Sequence, residues 1–217
     1  MKKHAFLKHS EGKILAFGLF LLGTFLVLLA ISAYFWPERF NVLLGMTASN
    51  IVFGRMAGLS IGISSQMDTL LLIPFNFFIE SIMVLILYPL FVLSWKSLHV
   101  ISYKPLSDFL TRSQVSAEKY QPMIQKYGII GLVFFVLTPF AMTGPVVGSF
   151  VGYLMGLPHL TTLLSVISST LIAIILWTYF IKNFEATLIV YSDVLIIVLS
   201  SAAVIVLIWY FMRKKRG

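Results

Sequence analysis

Residues 69–95 read TLLLIPFNFFIESIMVLILYPLFVLSW and carry one charged side chain, Glu80. Crossing the hydrocarbon core of a bilayer, about 30 Å thick, takes about 20 helical residues. This stretch of 27 residues is therefore long enough to cross. Its length and lack of charge predict a membrane-spanning helix rather than a core helix of a water-soluble protein.

The whole chain shares this apolar character. Of its 217 residues, 59% are hydrophobic and 11% are charged, with a mean hydropathy of +0.96. Water-soluble domains are about half apolar and about one quarter charged. The absence of cysteine excludes disulfides, thiolate metal sites and cysteine nucleophiles. The net charge of +8 lies in the tails and the middle of the chain, which is typical of loops flanking spans and not of a nucleic-acid surface.

The chain is predicted to be a single membrane domain, residues 1–217, with about four full spans. A cytoplasmic tail at residues 1–13 precedes the first apolar run, which is too long for a signal-peptide core and is expected to be retained. The predicted spans are Ile14–Trp36, Thr69–Trp95, Leu160–Ile181 and Leu188–Met212. Each is close to or above the length that a bilayer requires.

Two further apolar segments are interrupted. Residues 41–65 contain seven glycine, asparagine or arginine residues, and residues 129–157 contain Pro139 and Pro145 near their middle. Proline lacks an amide proton and restricts the residue before it, so a helix is expected to break there. Both segments are predicted to form pairs of half-length helices.

The cations set the predicted orientation. Residues 96–127 carry five lysine or arginine residues against Asp108 and Glu118, and they are expected on the cytoplasmic side together with both termini. The nearly neutral connections at residues 37–40 and 182–186 suit the outer side. Each broken segment must then enter and leave on one side, as two re-entrant hairpins of opposite orientation. Six full spans are the alternative, which would place the five central cations outside.

Glycines four residues apart mark both broken segments: Gly54, Gly58 and Gly62 in the first, and Gly144, Gly148, Gly152 and Gly156 in the second. This spacing puts glycines on one helix face, where backbones can approach closely. Simple helix packing explains the pattern. So does an inverted repeat, from which transporters build a central site with broken helices.

Arg55, Asn76 and Glu80 are the first candidate site. A charge at the bilayer centre costs about 2.5–3.5 kcal/mol on insertion scales and needs a partner or a wet cavity. Asn76 precedes Glu80 by one helical turn and shares its face, while Pro74 can open the helix locally. We expect these three side chains to form a polar substrate or ion site, or else a structural pair that locks the hairpin. Asp68 is expected to cap a helix.

The second candidate site lies at the later break. Backbone broken at membrane depth is tolerated only where it packs in protein or lines a cavity. Its freed amides can hold an anionic group and its freed carbonyls a cation. The expected substrate-binding residues here are Pro139, Thr143, Gly144, Pro145 and Gly148.

Enzyme chemistry is not expected. GLSIG at residues 58–62 matches the G-x-S-x-G pattern of serine hydrolases, but a serine nucleophile needs a nearby base. No histidine lies inside an apolar segment: His4, His9 and His99 lie in the tail and central region, and His159 lies at the start of a span. The same scatter gives no metal site, so neither a metal nor a cofactor is expected.

YGIIGL at residues 127–132 and TPFAMTGPVVG at residues 138–148 resemble the signature of the putative small multidrug export proteins. That family is similar in layout to the DedA/VTT superfamily, whose members carry two re-entrant hairpins and are linked to lipid-carrier flipping. The resemblance covers about residues 50–181. Arg55 matches the expected arginine, whereas Phe53 stands where an acid is usual, and Glu80 is the expected substitute. Residues 129–181 contain no arginine, so the paired arginines of DedA-type flippases are missing.

The resemblance implies a transporter or lipid-carrier flippase, and the apolar spans and cation pattern predict a multi-pass protein of the cell (inner) membrane. Coupling of transport to protons through Glu80 is a hypothesis that rests on the position of this carboxylate near the middle of a predicted span. The expected partners are membrane lipids, their phosphate head groups or small organic ions, with a homo-oligomer expected and no nucleic acid. Export of small cationic or drug-like molecules is the alternative. A structural or assembly protein without transport is the alternative from another class.

Overall fold

The computed structural model of the protein describes residues 10–96, 104–138 and 144–190. These residues form eight helices, and no strand occurs among them, so the predicted all-α class is confirmed for this part of the chain. The chain divides into two compact units, Met1–Thr178 and Tyr179–Gly217.

Three helices are long and apolar enough to cross a membrane. They are α1 (Ser10–Phe35), α4 (Thr69–Lys96) and α8 (His159–Val190), with apolar stretches at Ser10–Phe35, Thr69–Ser94 and His159–Phe184. Three of the four predicted spans therefore correspond to helices. The fourth, Leu188–Met212, lies outside the described residues beyond Val190.

Two predicted connections are helical. Residues 182–186 continue α8 instead of leaving it, because the stretch from Lys182 to Val190 contains neither glycine nor proline to end the helix. Residues 37–40 form the first turn of α2 (Pro37–Phe53), since Pro37 occupies the first helical position, where its missing amide proton costs nothing. The prediction of a loop is wrong at both places for the same reason: a few polar residues at the end of an apolar run do not by themselves end a helix.

Each interrupted segment is a pair of short helices that pack together, as the sequence predicts. The first pair is α2 and α3 (Arg55–Ser64), separated only by Gly54 at φ +87°, a conformation that favours glycine. The second pair is α6 (Gly128–Leu137) and α7 (Gly144–Leu154). Residues 139–143 between them lie outside the described part of the chain.

The second helix of each pair and the turn that follows it match at an offset of 90 residues. After α3, the amide of Met67 donates to the Gly62 carbonyl at 2.9 Å, and after α7 the amide of Leu157 donates to the Gly152 carbonyl at 3.1 Å. The residue before each donor, Gln66 or Gly156, has positive φ. A long helix starts two residues after each donor, at Thr69 or His159. The glycine spacing thus reflects a repeated unit of short helix, turn and long helix.

The central segment, residues 96–127, is helical over most of its length. It forms α5 (Lys104–Gln125), a helix of 22 residues. One face of α5 is buried at Leu110, Ser113, Ala117 and Ile124, and it packs against α6 and α7. The segment therefore braces the second helix pair.

Helix α4 lies at the centre of the described core and contacts α1, α2, α3 and α7. Phe91 of α4 stacks on Phe150 of α7 with ring centroids 3.9 Å apart. On the opposite side, a Cβ added at Gly18 of α1 would lie 3.0 Å from the backbone of Leu85, so only glycine allows this approach. Both broken pairs therefore meet around α4, which carries Asn76 and Glu80.

Candidate functional site at the meeting of the broken helices

Arg55 and Glu80 form a buried ion pair. Nη2 of Arg55 lies 3.0 Å from Oε2 of Glu80. The two residues are only 6% and 3% exposed. Removing either charge from water is costly, so each stabilises the other in this apolar part of the protein. The pair joins α3 to α4.

The break at Gly54 positions the arginine. The carbonyl oxygen of Gly54 accepts hydrogen bonds from the amides of Ala57 and Gly58. The amide of Gly54 donates to the Asn50 carbonyl at 2.9 Å. Arg55 is consequently the first residue of α3, and its side chain is buried. If α2 and α3 were one continuous helix, no helix would begin at Arg55, and no helix dipole would have its positive end there.

Two asparagines extend the site beside the ion pair. Nδ2 of Asn50 donates to Oδ1 of Asn76 at 3.0 Å, and Nδ2 of Asn76 donates to the Leu72 carbonyl at 2.9 Å. Both asparagines are buried. Gly58 allows this contact, because a Cβ there would lie 2.9 Å from both the Cβ of Asn50 and Oδ1 of Asn76. The site thus has a second polar layer, one helical turn before Glu80.

The second helix pair reaches the same site. The position that a Cβ would take on Gly144, the first residue of α7, lies 3.4 Å from Nη2 of Arg55. The same position lies 3.6 Å from the Val136 carbonyl oxygen near the end of α6. The N-terminus of α7 and the C-terminal turn of α6 therefore meet beside the guanidinium. Trp177 of α8 stabilises this break, since its Nε1 donates to the Leu137 carbonyl at 2.8 Å.

The charged atoms of the ion pair lack hydrogen-bond partners within the described residues. Within the described residues, Nη1 and Nη2 of Arg55 and both carboxylate oxygens of Glu80 have no hydrogen bond, although all four are buried. The 3.0 Å contact has the distance of an ion pair but not the alignment of a hydrogen bond. Buried polar atoms in native proteins nearly always have partners, so a ligand or ordered water is the expected complement here.

The electrostatics favour a negative group as that complement. Arg55 is the first residue of α3, and its guanidinium lies against the first residue of α7, so the positive end of the α7 dipole is close to this cation. Glu80 is the single carboxylate paired with it. Helix N-termini and arginine are both ordinary ligands of phosphate and carboxylate groups.

The structure brings together most, but not all, of the candidate residues. Arg55, Asn76, Glu80 and Gly144 lie around one site. Pro145 is buried in the first turn of α7. Gly148 serves packing, because a Cβ there would lie 2.6 Å from Cγ2 of Val136. Pro139 and Thr143 lie outside the described residues.

Asn50 was not singled out from the sequence. It counted only as one of the interruptions of residues 41–65. An amide side chain within an apolar segment, five residues before Arg55, was the available signal. Asp68, by contrast, caps α4 as expected, accepting the Leu70 amide at 3.0 Å.

An apolar groove of about 590 Å³ lies along α1, α2 and α4, and its lining does not include Arg55, Asn76 or Glu80. Trp36 and Arg39 line one part of it, and Pro74, Phe75 and Phe78 of α4 line another. Phe75 and Phe78 flank Asn76 in the sequence, and both rings pack near Phe25 of α1, at 5.6 and 6.0 Å. The groove includes exposed positions such as Leu28, so it opens on the apolar surface of the protein.

The described residues contain no group of three or more histidine, cysteine, aspartate or glutamate side chains that could hold a metal ion. The candidate site therefore consists of one ion pair, two amides and two helix N-termini.

Comparison with known proteins identifies one family. The sequence model of the family described as "Putative small multi-drug export protein" matches residues 55–176, more than half of the chain. No curated protein and no solved structure matches the chain. The match begins at Arg55 and includes Asn76, Glu80 and all of α7. The chain therefore belongs to the family of small multi-drug export proteins.

Proposed function

We propose that the protein is a membrane transporter whose central site binds the anionic group of an amphiphilic substrate. One observation carries this proposal: Arg55, the first residue of α3, is 6% exposed and 3.0 Å from Glu80, and its guanidinium lies against the first residue of α7. Neither Arg55 nor Glu80 has a hydrogen bond for its charged atoms within the described residues.

The broken helices support transport over a purely structural role. Irregular backbone at membrane depth needs protein or a cavity around it, and transporters use half-helix N-termini to hold anionic substrate groups at the centre of the membrane. The repeated unit of short helix, turn and long helix supports this proposal, because transporters of this kind are built from repeats that contain broken helices. The family description names export, which is a membrane transport function.

The ion pair favours an anionic group, and the separate apolar groove along α1, α2 and α4 favours a hydrocarbon chain. Arg55 and the helix ends suit a phosphate or carboxylate, and the groove along Phe75 and Phe78 suits a hydrocarbon chain. A lipid or lipid carrier has both parts, in line with the DedA-like resemblance. The asymmetry of the repeat limits that likeness, because Pro145 and Thr170 stand at the positions 90 residues after Arg55 and Glu80. Charge is thus supplied by the first repeat and a helix terminus by the second.

Transport assays in vesicles test this proposal. Purified protein is reconstituted into liposomes, and the movement of a fluorescent anionic phospholipid is compared with that of the lipophilic cation tetraphenylphosphonium. We expect movement of the anionic lipid above empty vesicles. Arg55→Gln should slow this movement about tenfold or more, because the proposed hydrogen bond between the guanidinium and the anionic group of the lipid would be lost. Arg112→Gln, the same change at an exposed position of α5, is the matched control and should transport normally.

The other outcomes separate the alternatives. Movement of the cation but not of the anionic lipid would contradict an anionic substrate and favour export of cationic drugs. Movement of neither, under any ion gradient, would favour a structural or assembly protein in which Arg55 and Glu80 only lock α3 to α4.

A further inference from the structure

A second apolar groove lies on the surface of the protein, between the end of α5 and the length of α6. It has a volume of about 430 Å³, within the range of about 300–1,000 Å³ that is usual for small-molecule sites. Tyr120 and Ile124 of α5 form one wall, and Ile130 and Phe134 of α6 form the other. None of the lining residues is charged, and none belongs to the central site.

Close packing between α5 and α6 forms this groove. The amide of Tyr127, just before α6, donates to the carbonyl of Ile124 at 3.0 Å. A Cβ on Gly131 would lie 2.7 Å from the same carbonyl oxygen, so glycine is needed for α6 to approach the end of α5 this closely. The ring of Tyr120 packs against that of Phe135, with centroids 5.3 Å apart. The shape of the groove is therefore fixed by contacts between the two helices.

The groove has the chemistry and the length of a site for an acyl chain. Ile130 and Phe134 are each 66% exposed, so two large apolar side chains are left without cover by the described residues. At the end of α6, the hydroxyl of Thr138 is already bonded to the Phe135 carbonyl. The ten residues of α6 span about 15 Å, which is half of a hydrocarbon core about 30 Å thick. An acyl chain of one leaflet matches that length.

Two exposed lysines border the groove through the tyrosines that line it. Nζ of Lys119 lies 5.6 Å from the ring centroid of Tyr120, and Nζ of Lys126 lies 5.8 Å from that of Tyr127. Tyrosine and lysine are the side chains that proteins place where hydrocarbon meets lipid head groups, because each has an apolar body and a polar end. The groove thus joins an apolar surface to two positive charges.

These charges favour a lipid with an anionic head group as the occupant. Neither lysine forms an ion pair within the described residues, and the remainder of the chain contains a single acidic residue, Asp193. A second copy of the chain on the same surface would bring like charges together. Residues 213–216 of the C-terminal tail are all basic and would be repelled as well. The cytoplasmic leaflet, which the sequence predicts residues 96–127 to face, has a negative surface potential.

We propose that the groove between α5 and α6 binds an acyl chain of an anionic phospholipid, and that Lys119 and Lys126 bind the phosphate of its head group. The bound chain covers the exposed apolar walls and holds the end of α5 against α6. This site is separate from Arg55 and Glu80, so the inference does not depend on the transport proposal.

Photocrosslinking in vesicles tests the proposal. The full chain is reconstituted with a trace of phosphatidylglycerol that carries a diazirine on one acyl chain, and the crosslinked residues are located by mass spectrometry. Adducts on the groove are thereby counted separately from any near Arg55. We expect unlabelled phosphatidylglycerol to suppress the groove adducts about tenfold better than phosphatidylcholine, because each lysine near an anionic surface contributes about fivefold in affinity. Equal suppression by the two lipids would overturn the proposal.

A pair of substitutions tests the role of the lysines. In the double variant Lys119→Gln and Lys126→Gln, phosphatidylglycerol should suppress the groove adducts no better than phosphatidylcholine. The matched control is the double variant Lys13→Gln and Arg112→Gln, which removes two exposed cations that do not border the groove and should keep the preference. A preference that survives the loss of Lys119 and Lys126 would contradict the head-group assignment.

A second pair of substitutions tests the groove itself. Ile130→Trp fills the groove from an exposed position and should remove most of the groove adducts. Ile129→Trp is the matched control, because Ile129 is exposed next to it but does not line the groove, and it should keep the adducts. Full labelling of Ile130→Trp would show that the chain binds elsewhere. Disulfide-linked dimers of Ile130→Cys in native membranes would identify a second copy as the occupant and would also overturn the proposal.

Discussion

Arg55 and Glu80 each compensate for the burial of the other's charge, so replacing either residue alone should destabilise the protein. Arg55→Gln or Glu80→Gln leaves one buried charge without its counter-charge, and breaking such pairs costs about 3–5 kcal/mol in other proteins. We expect both single variants to melt well below the wild type, and the double variant to melt closer to it. Glu118→Gln, at an exposed position of α5, is the control and should change stability little. Additive effects of the two single changes would contradict the pairing as an energetic unit.

Glu80→Gln also separates a proton-coupling role from a structural one. Glutamine keeps the shape and hydrogen-bonding capacity of glutamate but stays neutral at every pH. We hypothesise that this variant, although less stable, still reaches the membrane and transports without responding to a proton gradient. The motivation is a lone carboxylate midway along α4, eleven residues into the predicted span and beside Asn76 and Asn50. Transport that still follows the proton gradient in Glu80→Gln would defeat the coupling role.

The second helix pair depends on close packing at its glycines. A Cβ at Gly148 of α7 would lie 2.6 Å from Cγ2 of Val136 in α6, so a methyl group there must displace a neighbour. We expect Gly148→Ala to destabilise the protein by about 1–3 kcal/mol, the usual cost of overpacking. Gly23→Ala is the matched control in α1, where nothing lies within 4 Å. The melting temperatures of the two variants are compared in detergent. Equal melting temperatures would contradict the prediction and would show that α7 can move to accommodate a methyl group at position 148.

Some elements could be predicted from the chain and others could not. Hydrophobicity and length alone mark α1, α4 and α8, and glycine and proline mark both breaks, because these signals are local. The continuation of α8 through Lys182 was missed, since charged residues near the end of a span resemble a loop. Asn50 was missed because its inward position depends on how α2 packs against α4. Likewise, the approach of α7 to Arg55 is a consequence of packing between the two repeats, which no local pattern fixes.

Helix α7 contacts two clusters of polar side chains in the described part of the chain. Its first residue, Gly144, lies against Arg55, and Tyr153 near its other end stacks on His159. Eleven helical residues span about 16 Å, so one short, largely buried helix contacts both the central site and the cluster of Tyr88 and His159. Movement of α7 would therefore change the surroundings of both Arg55 and His159. The equivalent helix of the first repeat, α3, ends at Ser64 and has no such second cluster within the described residues.

The orientation of the two repeats in the membrane follows from charge and can be measured directly. The chain contains no cysteine, so single cysteines can be introduced without background. If the cations of residues 96–127 stay on the cytoplasmic side, both helix pairs must be re-entrant. Cysteines replacing Glu38, Gln66 and Phe184, all at exposed positions, should then react with an impermeant thiol reagent added outside intact cells. Cysteines at positions 104 and 118 should react only after permeabilisation. External labelling at position 104 would instead indicate six full spans, because α5 would lie outside and α2–α3 and α6–α7 would each cross the bilayer.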